Sequence, residues 1–588
     1  CLAVAKTTNA AEDIQLIYLL VRSTGGTWTS YDIETDPDDA GSGSGFPGYT
    51  RPCITLAYDH VFVAYGSIYS PQNLSYRTAP MSALSTWSAR STLISGPNFW
   101  DGCQMPDARH VRAAGGQFPV LAHEADSGDV VLTWVDSNVP ANPTVTYAVV
   151  GAPTSSGFTV STKVSSGQSV RVLTSGGSGT SVTPDGDGWS RSVLTGLTAA
   201  TQYAYDVEIT AIDGWVTTVS AVGQGKTLPG TGAASFTFGF GSCFDSLNGS
   251  LTSPNTGAFA RLRARNPDLF FHLGDFTYAD NTGTTQSSHR ANLEQVLGYS
   301  AALQDLVRDT ATVYVKSDHD AGGGNNSAPG AWTAGNRAAA LQVFPYATRP
   351  DSNGLYHSIV VGRVRFIFTD TRYLVTSTSR LGATQKAWFK AQLQESEPVK
   401  VWVQEAAWID NEPADPGGDK WQDFASEKAE LGSFISSSAV GQVVTIHGDQ
   451  HALAADDGTN NDWGGFPSFC AGPFRNYSSL KTLNYSDWSE GFYPNPVGSE
   501  VAQHGFCTVT DDGETITLAL RGYDTSNTLR VSMDVVVETT PPEPGSSPVI
   551  SIDGVEFADW VTHLYVDGVD MGPRVWTLSV DGVESPVQ

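Results

Sequence analysis

Residues Asp268-Leu-Phe-Phe-His-Leu-Gly-Asp-Phe-Thr-Tyr278 decide how the chain is read. An apolar run of strand length ends on Gly274-Asp275, and Tyr278 follows three residues beyond the aspartate. A strand whose carboxyl end delivers an aspartate into a crevice, next to a glycine that lets a ligand approach the backbone, is how α/β folds present a metal-binding carboxylate. A phenolate is a hard ligand that suits ferric iron. Asp275 and Tyr278 together therefore predict a redox-stable metal site rather than a simple magnesium site.

Outward from that block, residues 231–540 read as strands separated by helical segments, such as Asn255 to Arg265 and Leu381 to Glu395. The alternation predicts a layered α/β domain, with Cys243, Asp275, Asp318 and Asp449 at the ends of different strands. Residues 1–140 hold short alternating stretches, among them Ile14-Gln-Leu-Ile-Tyr-Leu-Leu-Val and Val61-Phe-Val-Ala-Tyr. Two of them, starting at Ile54 and Pro119, echo each other like propeller-blade hairpins. Two or three such units cannot close a propeller, so an accessory all-β module is expected. Residues 141–230 alternate again, and Leu194-Thr-Gly-Leu-Thr-Ala-Ala-Thr-Gln-Tyr203 resembles the corner of a fibronectin type III sandwich. A proline-rich linker opens the segment 541–588. There Ile552-Asp-Gly-Val-Glu, Val566-Asp-Gly-Val-Asp and Val580-Asp-Gly-Val-Glu place Asp-Gly turns between apolar residues. A small β appendage follows from that pattern, whose carboxylates are too sparse for a calcium repeat.

At 588 residues the chain exceeds one core, and three or four domains are expected. Lys plus Arg number 33 against 61 for Asp plus Glu, a net charge of −28 that repels nucleic acid and anionic membranes. No nucleic-acid-binding surface is evident. A phosphate-bearing substrate would need a local cation, which bound metals would supply; the acidity equally serves solubility in a secreted protein. No apolar run reaches the roughly 18 to 20 residues of a membrane-spanning helix. The sequence opens on Cys1, as a mature lipoprotein does, so a lipid anchor there is one expectation. Among the other cysteines, Cys53 could pair with Cys103 and Cys470 with Cys507. Cys243 is then left over at a strand end, as a buried small hydrophobe or a metal thiolate. Five Asn-X-Ser sequons, at Asn73, Asn248, Asn325, Asn476 and Asn484, matter only in a glycosylating host.

Four blocks combine hard and borderline ligands: Gly241-Ser-Cys243, Gly274-Asp275-Phe-Thr-Tyr278, Ser317-Asp318-His319-Asp320 with Asn325-Asn326, and His447-Gly448-Asp449-Gln-His451. Together they resemble the calcineurin-like metallophosphoesterases, in particular the PhoD-like alkaline phosphatases and phosphodiesterases. Gly-Ser-Cys stands where other branches have Asp-X-His. The Gly-Asp-X-X-Tyr block is shared with purple acid phosphatases, whose Gly-Asn-His and Gly-His-X-His motifs are absent. Phe368-Thr-Asp-Thr-Arg372 and Leu381-Gly-Ala-Thr-Gln-Lys-Ala-Trp-Phe are further landmarks.

The resemblance implies two β-sheets flanked by helices and a dinuclear site of Fe3+ and Ca2+, other divalent metals being compatible. It makes Cys243, Asp275, Tyr278 and His451 ligands of iron. Asp275 would bridge to calcium, with Asp449 and Asn325 or Asn326 completing that position. A metal-activated water would then hydrolyse phosphate mono- or diesters, with His319 as the acid for the leaving alkoxide and Asp318 or Asp320 orienting it. The usual Asp-Asp-His-Glu reads Ser-Asp-His-Asp here. Where relatives place another ligand, the chain offers Gln404 or Glu405. The expected setting is extracellular, periplasmic or on a cell or virion surface. A second expectation is a surface or virion structural or glycan-binding protein with a degenerate phosphatase-like domain, its β modules making the oligomer or glycan contacts.

Overall fold

The computed structural model describes residues 143–246 apart from 212–215, and residues 257–539 apart from 324–332, 410–419, 478–487 and 495–499. It also describes the strands and a few flanking residues within 2–136, and four short strands within 550–570. Cys1, the side chains of Cys53 and Cys103, Asn325, Asn326 and the third Asp-Gly repeat lie outside the described residues. The chain divides into two compact units. One comprises residues 1–227 with 307–311 and 341–345; the other holds the remainder of 228–588.

The first unit begins with three antiparallel meanders in which consecutive strands pair in order, running through Leu2–Thr8 to Trp28–Thr35, Tyr49–Ala57 to Ser91–Ile94, and Cys103–Gln104 to Val130–Asp136. Leu19, Ile33, Val61, Val63, Ala79 and Leu84 form a buried cluster within it. Next come a three-stranded sheet (Val145–Thr154, Gly157–Val164, Trp189–Leu194) and a four-stranded one (Gly177–Ser178, Ser169–Thr174, Gln202–Thr210, Val216–Lys226). Strand Gln202–Thr210 buries every second residue, Tyr203, Tyr205, Val207 and Ile209, as a strand covered on one face must. The Tyr203 hydroxyl accepts a hydrogen bond from the Thr198 amide at 3.0 Å, tying the strand to the turn before it.

The second unit is built on two sheets. An eight-stranded sheet runs Ala311–Tyr314, Leu269–His272, Phe236–Phe244, His504–Asp511, Thr515–Tyr523, Leu529–Glu538, with Pro473–Tyr477 and Glu500–Val501 attached beside Phe236–Phe244. The other sheet has seven strands in the order His357–Val361, Val364–Phe368, Val399–Val403, Gln442–His447, Ser468–Cys470, Ala452–Asp456, Gly491–Pro494. Phe236–Phe244 and Leu269–His272 are parallel, and both are buried along nearly their whole length, as strands covered on both faces are. The sheets meet through aromatic side chains. Phe238 and Phe271 sit edge-on against Phe366 at 5.3 and 5.2 Å between ring centroids, and Phe240 against Phe469 at 5.7 Å. Offset and edge-to-face pairs of this kind add to the burial of large apolar area.

Helices Gly257–Ala264, Gln286–Tyr299, Gly382–Leu393 and Ala425–Ser438 accompany the sheets. Gln286–Tyr299 starts where Thr285 Oγ1 accepts from the Ser288 amide at 3.3 Å, an N-cap that satisfies an otherwise orphaned donor. At the C-terminus, Ile550–Ile552 pairs with Val555–Phe557 and Tyr565–Val566 with Val569–Asp570, two small hairpins where Asp-Gly turns are expected.

The expected Cys470–Cys507 bridge is absent: both thiols are free and buried. Cys470 ends a strand of the seven-stranded sheet, whereas Cys507 lies inside the eight-stranded one, registered between Phe238 and Leu520. Two cysteines beside strands in sequence thus belong to different layers. Both serve as small apolar side chains.

Candidate metal centre

Cys243, Asp275, Asp318 and Asp449 lie at or just beyond the carboxyl ends of Phe236–Phe244, Leu269–His272, Ala311–Tyr314 and Gln442–His447. Two glycines let these ends converge. A Cβ on Gly274, which has φ +100°, would collide with the Ser317 side chain, and one on Gly448 would collide with that of Ser242. Each Gly-Asp pair therefore needs its glycine for close approach of the neighbouring loop. Backbone bonds lock the crossing, with the Cys243 amide donating to Gly274 O at 3.0 Å and the Phe244 amide to Asp275 O at 2.8 Å.

Cys243, Asp275, Asp449 and His451 all adopt left-handed backbone, with φ of 57°, 52°, 66° and 53°. Residues held there cost on the order of 1–3 kcal/mol each and gather where function over-determines the structure.

Donor atoms converge on Asp275. Its Oδ2 accepts from Cys243 Sγ at 3.4 Å and from the Tyr278 hydroxyl at 3.2 Å, and that hydroxyl lies 3.2 Å from His451 Nε2. Ligands at 2.0–2.3 Å from one metal stand roughly 3 to 3.5 Å from each other, so this spacing suits a shared cation. Cys243, Asp275 and His451 form one compact group of donor atoms, and Asp275, Asp318 and His319 form another. Asp275 belongs to both.

Burial, then the charges of Asp318, Asp449 and Asp320, push the Asp275 carboxyl well above the usual range. Burial, then Asp275 and Asp449, push up the Cys243 thiol; burial, then Asp275 and Cys243, push up the Tyr278 phenol. Buried anions that oppose one another call for a cation. A thiolate, a phenolate, an imidazole and a shared carboxylate are the donors that iron beside a harder cation would take, so the residues fit such a pair. Asp449 bears on both Cys243 and Asp275 by its charge, although it belongs to neither compact group among the described residues.

The ring of His319 does not receive the partner expected of it. Its Nδ1 pairs with Asp280 Oδ1 at 2.6 Å, while its backbone amide donates to Asp275 Oδ1 at 3.3 Å. Asp318 accepts from the Ser317 hydroxyl at 3.0 Å, and Asp320 accepts from the amides of Thr277 and Ser317 at 3.0 and 3.2 Å. The carboxylate at the His319 ring is thus that of Asp280 rather than that of Asp318 or Asp320. Asp320 is committed to holding two loops together, and Asp318 turns inward to the Asp275 group.

Gln404 and Glu405 are held by partners within the fold. Gln404 accepts from Trp421 Nε1 at 2.7 Å and donates to Thr445 Oγ1 at 3.3 Å. Glu405 is clamped by Arg372 at 2.9 Å, Arg380 at 2.5 Å and the hydroxyls of Ser317 and Thr371. Burial opposes the charge on Glu405, but Arg372 and Arg380 outweigh it and hold the carboxyl below its ordinary range. His447 turns to Ser468, 3.2 Å from its Nε2. Trp408 is fully buried in a core with Trp402 and Trp421, so it lines no binding surface.

Two residues of the site were not anticipated as members of it. Asp280 lies two positions past Tyr278, a proximity that could have flagged it. Asn476 opens the sequon Asn476-Tyr-Ser. It is 5% exposed, too buried to accept a glycan in the folded chain, and its Nδ2 lies 2.8 Å from the Tyr278 oxygen.

Two layered sheets carry ligand-type side chains at their strand ends, and these meet at a shared aspartate. Residues 344–515 match the model of the PhoD-like phosphatase family. The fold is similar to a solved structure titled "Structure of PhoD", with a TM-score of 0.52 at 18% identity over 68% of this chain and 92% of that one. The structure of a purple acid phosphatase isolated from yellow lupin (Lupinus luteus) seeds gives 0.46 at 11% identity over 83% and 95%. No curated protein matches. Residues 344–515 are thus similar to the PhoD-like phosphatases in sequence, and the likeness to the solved structure is one of fold.

Proposed function

We propose that the chain hydrolyses phosphate diesters and monoesters outside the cytoplasm, at a two-cation site centred on Asp275. Iron is assigned to the side of Cys243, Tyr278 and His451, and calcium to the side of Asp318 and Asp449. The observation that supports this reading above all is the membership of Asp275 in both compact donor groups. Bound there, two cations supply the means to lower the pKa of a water and to offset phosphoryl charge.

The chain's own residues divide the remaining work. Asp275, buried and fixed by the Gly274 turn, holds the two halves in register. His319 keeps Nδ1 on Asp280, which leaves Nε2 to give a proton to the departing alkoxide. The Tyr278 ring lies against that of His319, with centroids 4.0 Å apart, and restrains its tilt. The sheets of residues 145–226 are read as a fibronectin-like sandwich that, with the preceding meanders, serves attachment. Among the described residues no helix is long and apolar enough to cross a membrane.

The direct test is turnover of bis-p-nitrophenyl phosphate and p-nitrophenyl phosphate with and without chelator. Chelator-sensitive hydrolysis is expected, and no turnover with metal bound would overturn the proposal. The acid role has its own test in Asp280→Asn. An alkyl phosphoester, whose leaving group needs a proton, should slow about 10²-fold, within the range for general acids. A p-nitrophenyl ester should change little. Equal losses on both substrates would remove His319 and Asp280 from that role.

A further inference from the structure

Asn476 sits on Pro473–Tyr477, the strand that runs parallel to the end of Phe236–Phe244 with Ser242 opposite Pro473 and Phe244 opposite Arg475. On its other side Asn476 faces Val501 in an antiparallel pairing. This double pairing fixes the backbone of Asn476 beside the end of the Cys243 strand. Its amide reaches two members of the donor set, with Nδ2 at 2.8 Å from the Tyr278 oxygen and 3.2 Å from His451 Nε2. A buried primary amide has two N–H bonds that need acceptors, and these two atoms lie within reach of it.

We propose that Asn476 is a positioning residue of the metal centre, which donates a hydrogen bond to the Tyr278 oxygen and so fixes the phenol and the neighbouring His451 ring for ligation. The inference rests on the reading of Tyr278 and His451 as ligands. Tyr278 is only half-buried, and its position follows that of Asp275 through a short loop; the His319 ring lies against one face of it, and Asp275 Oδ2, His451 Nε2 and Asn476 Nδ2 surround its oxygen, with Asn476 the nearest. A donor at the oxygen steadies the ring. It also stabilises negative charge on the phenolic oxygen, as outer hydrogen bonds to metal ligands do.

The consequence is spectroscopic as well as thermodynamic. A phenolate that has lost its hydrogen-bond donor holds its electrons less tightly, so phenolate-to-iron charge transfer moves to longer wavelength. The test compares the whole chain with Asn476→Ala and Asn476→Asp after loading with ferric iron. Asn476→Asp keeps the volume and removes the N–H, which preserves a readout should the alanine variant fail to fold. Both variants are expected to show the visible band at longer wavelength. In competition with a chelator, Asn476→Ala is expected to bind iron about ten- to hundred-fold more weakly, the range for lost outer-shell partners of a metal site. A band and an affinity unmoved in the variants would overturn the inference alone. A wild-type chain that binds no iron, or binds it without such a band, would remove the assigned ligand set and this inference with it.

Discussion

Two buried carboxylates of this domain, Asp275 and Glu405, are linked through one short stretch and have opposite surroundings. The Ser317 hydroxyl reaches both Asp318, of the Asp275 group, and Glu405. Glu405 has two arginines and two hydroxyls and is held ionised. Asp275 faces Asp318, Asp449 and Asp320, and burial with those charges pushes its carboxyl well above the usual range. The fold thus compensates one acid internally and leaves the other for a ligand from outside. Both arginines lie on Glu405, and Arg372 stands 3.9 Å from Asp318 as well.

The sharpest way to break the comparison is Asp275→Asn. Turnover should fall to that of chelator-treated wild type, with metal content lost in parallel. The metal-free variant should nevertheless unfold no earlier than metal-free wild type, since the change removes an acid opposed by its neighbours. Unfolding much earlier than wild type would mean that Asp275 is structural.

Glu405→Gln should behave in the opposite way. It leaves Arg372 and Arg380 buried with a neutral amide between them, and breaking a buried pair from one side costs about 3–5 kcal/mol. Denaturant unfolding would show this loss while the centre retains its metal. A variant as stable as wild type that has lost metal would make Glu405 part of the centre rather than its scaffold.

The contrast also shows what the sequence could convey. Gly274-Asp275 and Gly448-Asp449 were legible because a strand, a glycine and a carboxylate fall within a few residues, and the structure puts both glycines where a side chain would collide with the next loop. The alternation of strands and helices likewise located the layered domain. The clamp on Glu405 was not legible, because it requires Arg372, Arg380 and Ser317 to arrive from separate loops. Asn476 reached the site because its strand pairs, through Pro473 and Arg475, with Ser242 and Phe244, far away in the chain. The suggested Cys470–Cys507 bridge failed for the same reason: proximity to a strand does not say which sheet the strand joins. Asp280 was within reach of a local reading. It stands two residues beyond Tyr278 in the same loop.

A smaller effect tests whether burial without compensation extends beyond the centre. His504 is fully buried and stacks on Tyr523 at 5.3 Å between centroids; burial, then the nearby Arg265 and Arg261, lower its pKa to about 3. In the unfolded chain a histidine titrates near 6.5. Between those values the unfolded state binds the proton and the folded state refuses it, so the neutral ring's contribution is complete above about pH 6.5 and declines as the pH falls towards about 3. His504→Phe keeps the stacked ring and removes the titration. Lowering the pH from 7 to 4 should therefore cost wild type about 2–3 kcal/mol more than the variant, by the energy of one proton per pKa unit. Urea unfolding of the metal-free proteins at both pH values would measure the difference. Equal losses in the two would show that the folded chain admits a charge at this position, as Glu405 does through its arginines and His504, beside two arginines of its own sign, should not.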